Sequence, residues 1–305
     1  MNRIGLIITL ALAVLPAVQA SACPTVDGLI DYNCDGEVRY VFIGDSVVFG
    51  RGDSRFGNKG GYVRRLRSRF PNVTMVNLGK PGFTTAQLFR WFKGQFARTS
   101  TSTHRSSVNA DAIFIDVGRN DFFDDKSAPV TQKNIRRLAD YMRTNLGVEL
   151  GVQPIITIAT LLPTTRGAQQ PFIDDVNKEL LKRSSSTFPV RLRFDRFPSS
   201  IIDIGGVHPR SQGYDRIAIT MRNYLEGALV TRSRRTDGDS DGIYDRFESS
   251  RFSTSPSLVD TDGDGLADGV EAFSVLSNPT VVDTDGDGVG DGEEVTLGRN
   301  PLVAG

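Results

Sequence analysis

The sequence predicts an α/β protein, three layers deep, in which a mostly parallel sheet is covered on both faces by helices and is followed by a small, loop-rich acidic domain. Three observations carry this. Strand-like and helix-like segments take turns along residues 38–230, the pattern of βα units. Two strand candidates, 111–117 and 154–159, are nearly unbroken runs of apolar and β-branched residues, as expected of strands buried on both faces. The formal charge of zero is unevenly placed: residues 1–235 hold 33 Lys and Arg against 20 Asp and Glu, and residues 236–305 hold 3 against 16. Two domains of opposite character are therefore expected.

Taken in order, Arg3 precedes an apolar run from Ile4 to Val18, and Val18-Gln19-Ala20 supplies a small-residue cleavage pattern. Residues 1–20 read as a signal peptide rather than a membrane span. The mature chain is then expected to be secreted, extracellular or periplasmic, with no transmembrane segment. Residues 21–37 hold Cys23 and Cys34, the two cysteines of the chain, read most simply as one disulfide loop. Lipid attachment at Cys23 is the competing reading, because Ala20-Ser21-Ala22-Cys23 loosely matches a lipobox that lacks its usual leucine. Asp31-Tyr32-Asn33-Cys34-Asp35-Gly36 spaces oxygen side chains as a calcium loop does, but Arg39 and Phe42 stand where further acids belong, so a closed turn is an equal reading.

Strands are expected near 40–43, 73–78, 111–117, 153–160 and 190–194, and helices near 61–70, 84–97, 131–146, 171–185 and 211–229. Residues 98–107 are polar and aperiodic and read as an exposed loop with a solvated His104. Residues 231–236 form a short linker, basic from Thr231 to Arg235. The seventy residues beyond it have few aromatics to build a core.

Four stretches carry chemistry. The run Tyr40-Val41-Phe42-Ile43 ends in Gly44-Asp45-Ser46 and delivers one serine at the end of a strand, where open α/β sheets bind ligands. Asn77-Leu78-Gly79-Lys80-Pro81-Gly82 and Gly118-Arg119-Asn120-Asp121 also follow strands, and His208-Pro209 precedes the last amphipathic segment. Singly, Gly79 reads as a tight turn, Asn120 as a cap and His208 as a satisfied histidine. Jointly, in a chain with two histidines, they suit nucleophilic catalysis: a serine hydroxyl needs a base to take its proton, and the resulting oxyanion needs donors aimed at it.

These stretches resemble the SGNH, or GDSL-like, hydrolase family over about residues 38–229. The resemblance implies a three-layer, flavodoxin-like SGNH hydrolase sheet and a serine esterase that cleaves carboxylic esters through a seryl-enzyme, with no catalytic cofactor. It makes Ser46 the nucleophile and His208 the base, and implies three oxyanion donors: the N–H of Ser46, the N–H of Gly79 and the side-chain amide of Asn120. The family's acid usually stands three residues before the histidine, and here that position is Gly205. The nearest acid is Asp203, which Gly205 and Gly206 would let the loop carry back to the ring. A backbone carbonyl orienting the imidazole, or an impaired site, are the alternatives. The ester substrate remains open between lipid acyl esters and acylated polysaccharides. The basic first domain suits an anionic substrate or surface, or docking on its own acidic repeats. No nucleic-acid, nucleotide or catalytic-metal motif is visible.

Three acidic segments begin at Asp237, Asp260 and Asp283, an interval of 23 residues. Oxygen side chains recur at positions one, three, five, nine and twelve: Asp237, Asp239, Asp241, Asp245, Glu248; Asp260, Asp262, Asp264, Asp268, Glu271; and Asp283, Asp285, Asp287, Asp291, Glu294. Glycine follows each fifth position, as hard-cation loops require for their turn, and the set suits Ca²⁺. With Ile243, Leu266 and Val289 at position seven rather than eight, the loops resemble calcium-binding thrombospondin type 3 repeats more than EF-hands. The resemblance implies structural Ca²⁺ and a spacer or attachment to a cell-surface or matrix polymer. A rival function follows: a calcium-dependent surface adhesion or matrix-binding protein that keeps an impaired hydrolase fold. Covalent labelling of Ser46 separates the two.

Overall fold

A computed structural model describes residues 25–33, 35–146, 153–203, 205–229, 238–241, 243, 245 and 248–305. The signal segment, Cys23, Cys34, the 231–236 linker and Asp237 lie outside the described residues, and with them the disulfide, lipid-anchor and linker readings. The chain divides into two compact units, one of residues 23–236 with 244–253, the other holding the acidic segments 237–243 and 254–305.

In the larger unit a short hairpin, β1 (Thr25–Val26) and β2 (Leu29–Ile30), precedes the main sheet. The sheet is built from β3 (Arg39–Gly44), β4 (Thr74–Gly79), β5 (Ala112–Asp116), β6 (Ile155–Ala159) and β7 (Val190–Leu192). All pairings are parallel and the order is β4-β3-β5-β6-β7. This flavodoxin-like order reverses between β3 and β5, and a crevice opens beyond the strand ends at that point. Register aligns Gly44 with Gly79 on one side and with Asp116 on the other. The loops leaving β3, β4 and β5 therefore start at one level.

Helices α1 (Ser46–Phe49), α2 (Gly61–Arg69), α3 (Thr85–Phe96), α4 (Ser102–Arg105), α5 (Ala128–Asn145), α6 (Gln170–Lys182) and α7 (Ser211–Asn223) alternate with the strands. Successive residues of a strand face opposite sides, and β3 uses both. Tyr40 and Phe42 pack with Tyr62 and Leu66 of α2 and Tyr214 and Met221 of α7. Val41 and Ile43 pack with Phe92 of α3, Leu138 of α5 and Val176 of α6. Phe42 stacks on Phe114 across the strands at 4.8 Å.

Local signals set the helix starts. Thr84 and Gln87 form a reciprocal capping box at α3, and proline stands in the first turns of α5 and α6. That is why α5 opens three residues before the apolar periodicity does. The segment 98–107 corrects the loop reading: Thr101 caps α4 by accepting the N–H of His104 at 3.1 Å. His104 is half-buried, stacked on Phe96 at 4.6 Å, with Nδ1 2.8 Å from the carbonyl of Phe96. A Ser/Thr-rich run supplied a cap rather than a solvated loop. The oxygen-rich turn after β2 is closed by N–H donors: Asp31 accepts from Asp35 and Gly36 at 3.2 and 2.7 Å. Asp111 accepts from Asn33 and Arg39 at 3.0 and 2.6 Å, stitching the turn to the start of β5.

Candidate active site

Ser46 is the first residue of α1, set there by the abrupt end of β3. Asp45 caps the helix, its Oδ1 accepting the N–H of Val47 at 3.0 Å. The N–H of Ser46 has no carbonyl one helical turn back to take it, so it is placed to serve a ligand. The Ser46 hydroxyl lies 3.0 Å from Nε2 of His208. His208 arrives from the other end of the chain on the segment before α7, which is tethered to the serine loop by the Tyr214 hydroxyl donating to the carbonyl of Arg51 at 2.7 Å. Burial, followed by the charges of Arg119 and Arg51 and opposed by Asp203 and Asp45, holds the His208 imidazolium below its usual range. The ring is neutral near pH 7 and able to accept a proton.

Asp203 comes back to His208 through a tight turn. Its N–H donates to the carbonyl of His208 at 2.7 Å, Gly206 donates to the carbonyl of Asp203 at 3.0 Å, and Ile202 bridges Pro209. Gly206 supplies the positive φ of 78° that the turn needs. Thr165 and Arg166 pin the turn from the loop after β6, donating to the carbonyls of Gly206 and Gly205 at 3.1 and 2.9 Å. Asp203 and His208 line one cleft of about 440 Å³ with Phe49, Arg51, Lys59 and Pro81. Among the described residues no hydrogen bond joins the Asp203 carboxylate to the ring, and its buried Oδ1 has no partner. The charge of Asp203 raises the His208 pKa against the lowering by burial.

The three expected oxyanion donors differ. Gly79 ends β4 against α1, where a Cβ would stand 2.2 Å from the nitrogen of Phe49, so this approach needs glycine. Its single N–H is donated to Oδ1 of Asn77 at 2.9 Å, so Asn77 holds that hydrogen in this structure. The Asn77 side chain reaches two residues forward along its own strand, and its amide donates to the carbonyl of Val48 at 2.7 Å. Asn120 spends one amide hydrogen on the carbonyl of Phe83 at 3.0 Å and keeps the second. Its loop is fixed by Asp121, buried and accepting the N–H and hydroxyl of Thr85 at 2.8 and 2.5 Å.

A group that the motif reading passed over lies behind Ser46. Arg119 is 1% exposed, and its guanidinium donates to Asp45 at 3.1 Å and to Asp116 at 3.2 Å. Burial and the nearby Asp45 push Asp116 up to about 7 despite Arg119. Arg119 thus fixes Asp45, which caps the helix that carries the nucleophile. The available signal was two acids at the ends of apolar strands, which require a counter-charge.

Residues 42–216 match the family model of the GDSL-like lipase/acylhydrolase family. The chain belongs to the GDSL-like lipase/acylhydrolase family. A carboxylic ester hydrolase is therefore what the larger unit is. Its fold is similar to that of a lipolytic protein of the G-D-S-L family from Veillonella parvula (18% identity, 62% of this chain and 99% of that one, TM-score 0.50). It is also similar to a lipase/acylhydrolase from Enterococcus faecalis (15% identity, 63% and 96%, TM-score 0.50). Comparison with curated proteins finds no match.

The acidic unit of this GDSL-like chain matches the bacterial TSP3 repeat at residues 260–274 and 283–304. Asp260 accepts the N–H groups of Gly263 and Gly265 at 2.7 and 2.9 Å, and Asp283 repeats this with Gly286 and Gly288 at 2.8 and 2.8 Å. In the first loop the N–H of Asp241 donates to Asp239 at 3.3 Å and Asp241 accepts from Ile243 at 2.7 Å, as Asp264 does with Asp262 and Leu266 at 3.2 and 2.8 Å. Carboxylate oxygens of Asp260, Asp262 and Asp264 lie within 4.8 Å of one another, as do those of Asp283, Asp285 and Asp287, and of Asp264, Glu271 and Asp291. Glu271 and Glu294 are fully buried, with one and two oxygens, respectively, lacking a hydrogen-bond partner. Burial and the charges of Asp262, Asp264 and Asp268 push Glu271 up to about 8. Buried, unpartnered oxygens crowded in this way fit a hard divalent cation.

The position-nine acids also serve their own loops. Asp268 accepts the N–H and hydroxyl of Thr261 at 2.7 and 2.6 Å, and Asp291 those of Thr284 at 2.8 and 2.6 Å. These acids staple position two of their own loops. Asp291 additionally faces Asp264 and Glu271 of the preceding repeat. They start α8 (Asp268–Val270) and α9 (Asp291–Thr296). Asp245 and Glu248 fall in the 244–253 segment of the larger unit.

Proposed function

We propose that this chain is a secreted serine esterase that hydrolyses short-acyl carboxylic esters through a seryl-enzyme, carried beside a calcium-stiffened repeat unit. The observation that carries the mechanism is the 3.0 Å approach of His208 Nε2 to the Ser46 hydroxyl. Ser46 Oγ attacks the acyl carbon while Nε2 takes its proton, and the imidazolium returns that proton to the leaving alcohol. Water then enters by the same base catalysis, and its hydroxyl carries the acyl group away. The negative charge of Asp203 favours the imidazolium at the moment it forms. The N–H of Ser46 and the second amide hydrogen of Asn120 suit the oxyanion, and Gly79 joins them when Asn77 releases its N–H.

Short acyl groups are favoured because Phe49 and Pro81 supply the large apolar side chains among the described residues lining the cleft. When bound, Ca²⁺ neutralises and rigidifies the repeats. Asp260, Asp262, Asp264 and Glu271 would hold it in one loop and Asp283, Asp285, Asp287 and Glu294 in the next.

The test is a fluorophosphonate probe with acetyl and octanoyl nitrophenyl esters, on the mature protein and on Ser46→Ala. Labelling and acetyl-ester turnover that vanish in the variant support the esterase. No labelling in the presence of calcium returns the chain to the adhesion reading.

A further inference from the structure

A second cavity, of about 640 Å³, adjoins the catalytic cleft and shares Phe49 and Lys59 with it. It is bounded by Gly79 on the side of the nucleophile and by four cations, Lys59, Arg64, Arg67 and Lys80. No carboxylate is among its described lining residues. None of the four makes an ion pair among the described residues. The Arg64 guanidinium lies over the ring of Phe56 at 4.4 Å and the Lys80 ammonium over Trp91 at 4.1 Å. Arg67 is held through Nε and Nη2 by the carbonyl of Met75, at 2.8 and 2.6 Å. Rings and a carbonyl position Arg64, Arg67 and Lys80 without neutralising them. Structural arginines of this protein do otherwise: Arg65 is clamped by Asp53 and Asp215, and Arg119 by Asp45 and Asp116.

We infer that this cavity is a subsite for an anionic group on the substrate, so that the enzyme selects short-acyl esters of acidic saccharides. The inference rests on the esterase reading and adds the substrate's charge to it. Four cations with no acid in a cavity large enough for a sugar ring form an electrostatic trap for a carboxylate or phosphate. Guanidinium and ammonium groups fixed in advance lose little freedom on binding. Phe49 is the one large apolar side chain among the described residues lining this cavity, which favours a saccharide over a lipid tail. Burial and, after it, the neighbouring charge of Arg64 lower the Arg67 guanidinium from its usual value, and a bound anion would favour its charged form.

The test compares kcat/KM for three acetyl esters of matched size, on a neutral hexoside, a hexuronate and a hexose phosphate, in the full chain and in Arg64→Gln with Arg67→Gln. The expected result is an anionic-over-neutral ratio of at least about tenfold, carried by KM, falling with added salt and collapsing towards one in the double variant. Preference between uronate and phosphate identifies the source of the anion. Arg136→Gln, a half-buried control over the Phe188 ring, should leave the ratio where it was. A ratio near one in the full chain, a ratio unchanged by the double variant, or preference for anionic phospholipid vesicles over all three sugars overturns the proposal.

Failure of the esterase reading looks different: no probe labelling and no turnover of any ester. In that case calorimetry of Ser46→Ala with free uronate against neutral hexose still decides the subsite. Selective uronate binding supports it and equal binding overturns it.

Discussion

Replacing Arg119 by methionine should destabilise the larger unit by about 3–5 kcal/mol at pH 8 and by markedly less at pH 5. The guanidinium sits 3.1 Å from Asp45 and 3.2 Å from Asp116, all three side chains buried. At that range and an effective dielectric near 20, each attraction is about 5 kcal/mol, offset by several kcal/mol for stripping water from the cation. Methionine fills much of the length but leaves two buried carboxylates facing each other. Burial and Asp45 already hold Asp116 up at about 7 with Arg119 present, and removing the group that lowers it pushes it higher. An unfolded aspartate ionises near about 3.9. Between that pH and the raised folded value, the folded state keeps a proton that the unfolded state has lost, so stability falls as pH rises through this window. Urea midpoints of both proteins at pH 5 and pH 8 read the difference, provided the slopes agree. An equal loss at the two pH values, or a loss below about 1 kcal/mol at pH 8, would refute the view that these three residues form one compensated unit.

The acid limb of kcat/KM should fall below pH 6.5, the ordinary value for the ring, because burial and the charges of Arg119 and Arg51 favour neutral His208. Arg51→Ala removes a cation, raises that pKa and moves the limb to higher pH, while an unmoved limb assigns it to another group. Removing calcium with a chelator should expose amides 260–294 to hydrogen exchange and leave ester turnover in place. At a hundredfold excess over Kd the ion contributes about 2.7 kcal/mol, and unchanged exchange would remove calcium from the account of these repeats.

The sheet was legible because its signals are local: apolar runs place β3 to β7, and amphipathic periodicity places the longer helices. Ser46 and His208 were legible because each stands in a short motif, and the topology brings the two motifs together across 162 residues. Arg119 was not, since an arginine after Gly118 reads as exposed until β3 and β5 pair and place Asp45 and Asp116 beside it. The engagement of Gly79 depends on the rotamer of Asn77, which no spacing encodes. The position-nine acids carried an unread signal: threonine stands at position two of the second and third loops, as Thr261 and Thr284, where the first has Gly238.

The displaced acid is where sequence position and spatial position part. Gly205 stands three residues before His208, yet a Cβ built on it would lie 3.3 and 3.6 Å from the two oxygens of Asp203. The carboxylate of Asp203 therefore fills the space that a side chain at position 205 would enter, delivered from two residues earlier by the Gly206 turn. With no hydrogen bond to the ring, its contribution is that of a nearby charge. Asp203→Asn should lower kcat by about 10- to 100-fold, the equivalent of one or two pKa units on His208, rather than the roughly 10⁴-fold of a hydrogen-bonded triad acid. The acid limb should shift to lower pH with it, since Asp203 raises the ring's pKa. Gly205 does not occupy the positive-φ region, so adding Gly205→Asp to Asp203→Asn restores a carboxylate to the same space from the other position. Recovery of at least about tenfold in kcat, with the limb returning, would show that what the reaction needs is a charge at that place. Full activity in Asp203→Asn alone would assign the orientation of the ring to the backbone instead.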